Sequence, residues 1–439
     1  MLAPRSSLHA AVATAAALLV VQHLAPAQSA PASSAPAPLP VTFFGEVRTR
    51  SEWDRPGSPL PSDAFTYLRS RFGARVDAAP GARLVLQVQD SRVLGAEGRA
   101  AAGTASFDLH QGYVELSAPW RGVGVTARAG RQEIALANER LVGAVGWSNV
   151  GRSFDGVRLM LAPAGARAGA EPWTATAFAA TVEERGRHFG GTTTPASDHA
   201  VAGLHVTRAL GAAPTGPVLE GTALYDAGAS YRAWRDADRA TLDARLRVPR
   251  LLGVRAELEG AVQVGRQHFA GDTANLAAQD VRAWLVGARV ATPTAATGIS
   301  AALGVDVLSG DATPGDGRYG AFSTMYATNH PFYGVMDVVG DPAATTKERG
   351  LVDALATAGA TLSPTLSVRA ELHRFALATG DERALGWEAD VTVPVRLGAA
   401  AGVELGYSAF RAGPGGAAVG LGDDGSLRHW AYLQLRASF

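Results

Sequence analysis

The chain has no cysteine among its 439 residues. That absence excludes disulfide frameworks, thiolate metal sites and cysteine nucleophiles. It also lacks net charge, since 40 basic residues balance 40 acidic ones, so there is no electrostatic case for a nucleic-acid partner. Lysine is nearly missing: Lys347 is the only one, and arginine supplies every other basic side chain. Beyond Pro40 no window holds 18 consecutive apolar residues. A spanning helix needs about 20, so a helical membrane protein is not expected.

The N-terminus reads as a signal peptide over residues 1–27. Arg5 supplies the positive n-region, Ala10 to Val21 a short apolar stretch, and Ala25-Pro26-Ala27 a small-x-small cleavage site. An uncleaved anchor is the alternative. Residues 28–40 are an Ala/Pro/Ser stretch that cannot bury a core and is expected to be a disordered leader. The remaining 41–439 form one domain.

That domain is written in dyads. In Val254 to Val264, Leu258, Gly260, Val262 and Val264 alternate with Glu257, Glu259, Ala261 and Gln263, so one face carries all the charge. Ala240 to Val248, Leu68 to Val76 and Leu385 to Val393 repeat the pattern. Strands of about 10 residues, apolar on one face and polar on the other, are the signature of a transmembrane barrel. Closure follows because no sheet edge can face lipid unpaired. We count about eighteen segments, starting near 41, 65, 82, 107, 122, 153, 172, 198, 217, 239, 253, 279, 298, 350, 365, 384, 398 and 428, which predicts an all-β fold: a closed antiparallel transmembrane β-barrel of about 18 strands. In the weakly patterned segment Asp108 to Leu116, Tyr113 and Glu115 are expected inward and Val114 and Leu116 outward.

Connection lengths agree. Asp77 to Gly81, Pro249 to Leu252 and Ser363-Pro364 fall where short periplasmic turns belong, and Gln132 to Arg152 and Gly310 to Arg349 where long external loops belong. Pro163 to Glu171 is longer than a periplasmic turn should be. The terminal Leu435 to Phe439, apolar at alternate positions and aromatic at the end, fits an outer-membrane assembly signal. Trp120, Trp173, Trp284, Trp387 and Trp430 lie near strand ends, as interfacial girdles or as ordinary packing.

Several stretches resemble the alginate export family of outer-membrane channels. They include Gln87-Val88-Gln89-Asp90-Ser91-Arg92, Asp108 to Tyr113, Gly130-Arg131-Gln132-Glu133, and Trp147 to Arg158. Thr328 to Gly334, His373-Arg374-Phe375 and Gly386 to Asp390 follow in order, so the likeness runs over most of 43–439. The resemblance implies an 18-stranded barrel in the outer membrane of a Gram-negative bacterium and a diffusion path for a polyanionic polysaccharide. It also implies a luminal constriction of arginines and acids, with Arg131 the first candidate and Glu388 and Asp390 next.

The residues themselves place both charge signs in the lumen. Arg48, Arg50, Arg69, Arg71 and Arg128 are expected inward, as are Arg158, Arg245, Arg247 and Arg369. Among acids, Glu257, Glu259, Asp306, Glu371, Glu388 and Asp390 share that face, with His373 two residues from Glu371. The planar guanidinium fork pairs bidentately with carboxylates, and rings of cations select anions. The same residues could instead pair across strands and hold the wall. The loop 310–349 carries Asn329, His330, Phe332 and Tyr333, candidates for a gate at the mouth or for a small core of the loop's own.

The functional expectation is a passive, cofactor-free and metal-free channel that exports an anionic polysaccharide such as alginate. The alternative is a selective porin taking up small anionic solutes. Expected partners are that solute, outer-membrane lipid and lipopolysaccharide, and a periplasmic export component. The barrel is expected as a monomer. A barrel enzyme lacks any Gly-x-Ser-x-Gly motif here, and a plugged structural barrel would be told apart by conductance.

Overall fold

The computed structural model describes residues 39–55, 62–95, 107–166, 169, 171–183, 199–211, 216–230, 235–269, 278–292 and 298–439. The expected signal peptide and most of the leader lie outside these residues.

Within them, eighteen strands close into one antiparallel barrel. In chain order the first nine are β1 (Val41–Arg55), β2 (Asp63–Ala79), β3 (Ala82–Val93), β4 (Phe107–Trp120), β5 (Val123–Gln132), β6 (Phe154–Pro163), β7 (Trp173–Glu183), β8 (His199–Ala209) and β9 (Val218–Ser230). The second nine are β10 (Arg235–Leu251), β11 (Val254–Phe269), β12 (Gln279–Ala291), β13 (Ile299–Leu308), β14 (Leu351–Thr361), β15 (Ser367–Leu377), β16 (Ala384–Arg396), β17 (Ala401–Ala412) and β18 (Leu427–Ser438). Each pairs with the next, and β18 pairs with β1 from Glu46↔Ser438 to Arg55↔His429. The final residue completes the seam: Phe439 and Gly45 exchange two backbone hydrogen bonds of 3.1 Å each. Gly45 leaves room for the Phe439 ring, because a Cβ there would sit 2.6 Å from it.

The dyads explain the wall. Leu242 and Leu258 are 57% exposed on the outer surface, while Thr241, Asp243 and Glu259 beside them are buried in the lumen. In β4, Val114 is exposed and Glu115 buried, as their parity requires. At the end holding the chain termini the strands turn tightly. Arg121-Gly122 and Leu252-Gly253 both have positive φ at two successive positions, the geometry of a two-residue hairpin. The expected turn at Pro249 to Leu252 is displaced: β10 runs on to Leu251 through a bulge after Val248, where Pro249 gives up its missing donor without breaking the ladder. Trp430 is not a girdle residue; it is buried in the lumen and donates to Glu52 Oε2 at 3.1 Å. Trp120, Trp284 and Trp387 do face outward.

We predict that Leu258→Arg destabilises the barrel in lipid by roughly 2–4 kcal/mol if its position is near the midplane. Denaturant titration in liposomes measures this, and an unchanged midpoint would contradict the outward placement of this face.

The two longest loops do not stand outside. Residues 133–153, between β5 and β6, and 309–350, between β13 and β14, fold back into the barrel. There Ile134, Leu141, Phe322, Tyr326, Phe332 and Tyr333 form a core with inward residues of the strands' outer halves, including Phe154, Leu285, Phe375 and Phe410. The lumen is therefore zoned: apolar and packed at the loop end, charged toward the termini.

Candidate functional site: a plugged and charged lumen

The two inserted loops are tied to one another first. Val142 forms an isolated parallel bridge with Tyr326. Thr328 Oγ1 donates to Glu139 Oε2 at 2.5 Å, and Arg152 donates to the carbonyls of Gly143, Tyr326 and Ala327. Burial pushes the Tyr326 and Tyr333 hydroxyls far above the usual phenol range, so both remain neutral.

Arg140 anchors this unit to the wall. It is 2% exposed, lies 3.0 Å from Asp306 of β13 and 3.0 Å from Glu259 of β11, and donates to the Tyr333 hydroxyl at 3.0 Å. Its guanidinium also lies 4.2 Å from the centre of the Phe332 ring. Burial works against its charge, but Tyr333, Asp306 and Glu259 outweigh it and shift its pKa upward. Three strands further round the barrel from β13, the Met336 N–H donates to Glu388 Oε1 of β16 at 2.9 Å.

A second contact runs along β1–β3. Arg48 donates to the carbonyls of Gly146 and Ser148, each at 2.9 Å. Arg69 donates to the same two carbonyls at 3.0 and 2.8 Å, and Arg50 to that of Trp147 at 2.7 Å. Ser91 Oγ donates to the Asn149 carbonyl at 2.7 Å, and Gln89 Nε2 to that of Val150 at 2.8 Å, shared with Arg71 at 3.3 Å. Arg69 also pairs with Glu46 (2.6 Å), Arg50 with Glu52 (2.6 Å) and Arg71 with Glu133 (3.2 Å). Arg436 adds a further cation on Glu46 at 2.6 Å. Five arginines thus face three carboxylates at this wall.

Glu133 belongs to the inserted loop and also accepts from His110 Nε2 at 2.7 Å. Burial raises its pKa, but the His110 bond and the charges of Arg71 and His110 outweigh burial and leave it lowered. A lowered carboxylate contributes stability above its unfolded pKa and loses it as pH falls through the folded one. Conductance should therefore be steady from neutral pH down to the ordinary carboxylate range and rise only below it, as this tether releases. A rise beginning near neutral pH in bilayer recordings would contradict that role.

Most sequence-expected site residues line the charged zone, although not as one ring. Arg128 pairs with Glu115 (2.6 Å) under the Tyr113 ring, with Arg158 opposite it in register. Arg245 bridges Glu257 and Glu220 at 2.6 and 2.7 Å, and Arg247 reaches Glu220 at 3.0 Å. Arg369 pairs with Glu371 (2.9 Å), and His373 with Asp353 (3.0 Å). Asp390 is buried near them, its strand paired with β15 through Glu371↔Asp390. Of the loop residues, Phe332 and Tyr333 lie in the plug core. Asn329 and His330 instead line a cavity of about 710 Å³ at the mouth, with Arg50, Trp147, Asp337 and Arg428. His330 stacks on Trp147 at 4.1 Å between ring centres.

Arg131 requires correction. Its cross-strand partner is Asp155, 2.7 Å away and 59% exposed, whereas the adjacent Gln132 is fully buried inside. Arg131 is on the outer face of the barrel and cannot form a luminal constriction. The decisive Arg140 and Arg152 were not singled out from sequence because both lie in a loop without strand periodicity. The signal available was the apolar content of that loop, Ile134, Leu136, Leu141 and Val142, which an external loop would not need. Asp306 is taken by Arg140 and Arg289. Among the described residues no acid and histidine group has metal-holding geometry.

A closed barrel with an apolar outer belt, water-side charge in the lumen and an internal plug defines a porin-type channel of the Gram-negative outer membrane. The chain belongs to the alginate export family, whose match spans residues 40–419. In fold it is similar to OccK2 (OpdF) of Pseudomonas aeruginosa: TM-score 0.59 and 14% identity over 91% of this chain and 97% of that one. It is also similar to OccAB1 of Acinetobacter baumannii, with TM-score 0.58 and 12% identity over 91% and 97%. A BenF-like porin of Pseudomonas fluorescens Pf-5 gives TM-score 0.58 and 11% identity over 91% and 99%. No curated protein sequence matches the chain significantly.

Proposed function

We propose that the protein is a passive channel for an anionic polysaccharide such as alginate. The observation that carries this reading is the arginine excess on the β1–β2 wall, where Arg48 is 4% exposed and has only backbone carbonyls as partners. A buried guanidinium without a carboxylate is costly as a wall strut but useful where carboxylates pass. Membership of the alginate export family supports the polymer over a monomeric solute. The mouth cavity of about 710 Å³ favours a second reading, uptake of small anionic solutes. The protein acts without catalysis on either reading. In the Ser153, His110 and Glu133 arrangement the serine hydroxyl donates to the His110 carbonyl at 2.6 Å, which supports a role in holding the loop.

Purified protein in planar bilayers should conduct with a preference for anions that shrinks at high salt, because the Debye length is then only about 3 Å. Alginate oligomers should block the current, and neutral dextran oligomers of equal length should not. Cation preference without block would overturn the polyanion reading. Block by small carboxylates alone would favour the second.

A further inference from the structure

We propose that the β1–β3 wall is a carboxylate-binding track, and that the carbonyls of residues 146–150 occupy it as an internal stand-in for substrate. The inference rests on the anionic-substrate reading above. Five successive carbonyls, from Gly146 to Val150, each accept from a wall side chain. Four of the wall donors, Arg48, Arg50, Arg69 and Arg71, are arginines on two neighbouring strands, with Arg48 and Arg69 directly opposite in register.

A folded-back loop needs some partner for its carbonyls, but neutral donors such as Gln89 and Ser91 suffice for that. Guanidinium groups are not needed to satisfy carbonyls, and stacking them invites repulsion. The fit to carbonyls is also incomplete: Arg48 is 4% exposed and its Nε has no hydrogen-bond partner. A carboxylate supplies a full charge and two acceptor oxygens, so it pairs with the guanidinium fork more strongly than two neutral carbonyls do. A polymer with one carboxylate per sugar could displace the strap step by step, each exchange replacing a dipole with a charge.

The strap is also held by ring packing. The Trp147 ring lies under the Arg50 guanidinium at 3.9 Å and against His330 at 4.1 Å. Loosening that packing removes no track donor, whereas removing a track arginine weakens both strap and substrate. The two changes therefore separate competition from simple clamping.

The test uses bilayer recordings with alginate oligomers as the probe, dextran oligomers as the neutral control, and heat-modifiable migration to confirm assembly. Trp147→Ala should raise basal conductance and lower the alginate concentration for half block, since the strap no longer competes. Arg48→Gln should also raise basal conductance but weaken the block by about tenfold, the ratio that one charge-assisted hydrogen bond carries. Block shifting in the same direction in both variants, or unchanged in Arg48→Gln, would overturn the track. If Arg48→Gln does not assemble, an unchanged block in Trp147→Ala overturns it alone. Wild-type current that alginate does not block refutes the polysaccharide reading itself; block that neither variant moves refutes only the track.

Discussion

Arg140→Ala should detach the plug from the barrel wall and raise single-channel conductance severalfold. The substitution leaves Glu259 and Asp306, 6% and 2% exposed, without their shared cation. Breaking a buried pair by removing one partner costs about 3–5 kcal/mol. The strain can be relieved by letting water enter and the loop swing away, because Arg140 lies in the inserted loop whereas both acids are on barrel strands. The wall should survive: its strand ladder is untouched, and heat-modifiable migration should persist. Unchanged conductance in an assembled Arg140→Ala barrel would mean the plug is held without this anchor.

Gly334→Val should act at the β16 contact and to similar effect. Gly334 has φ +90, and a Cβ at that position would sit 2.1 Å from Glu388 Oε1. Backbone of this kind costs a β-branched residue more than about 1 kcal/mol before any clash. Glu388 cannot retreat easily, since it is fully buried and accepts from the Met336 N–H. The segment around Tyr333 must therefore lift, and conductance should rise while the barrel stays folded. Proteolysis of intact liposomes provides a second readout, with cleavage in the 309–350 loop becoming faster than in the unmodified protein.

Much of the barrel was legible because a strand in lipid has a strict period of two. The expected segment starts at 41, 82, 107, 279 and 384 coincide with those of β1, β3, β4, β12 and β16. The largest displacement, 239 against the observed Arg235, arises where β10 extends beyond its clear dyads. The same rule could have rejected Arg131. It lies three residues from the inward Arg128, an odd offset that puts the two on opposite faces of a regular strand. The resemblance motif outweighed the parity there. A gate in loop 310–349 was one of two readings open from sequence, but the anchorage of the plug was not legible for a physical reason: contacts such as Arg140 with Asp306 span 166 residues and obey no local period. Nor could the sequence reveal that inward positions near the loop end, Phe375 and Phe410 among them, are apolar because a plug covers them.

The zoned lumen means that the protein has two hydrophobic surfaces with different solvents. The outer belt, with Leu258, Leu303 and Val286 exposed, is stable only against lipid or detergent tails. The inner core, from Ile134 to Tyr333, is held as in a water-soluble protein, by withdrawal of apolar area from an aqueous lumen. Urea weakens the second kind of burial directly, while detergent shields the first. The chain should thus melt from the inside out, its plug lost to denaturant while the barrel around it remains closed.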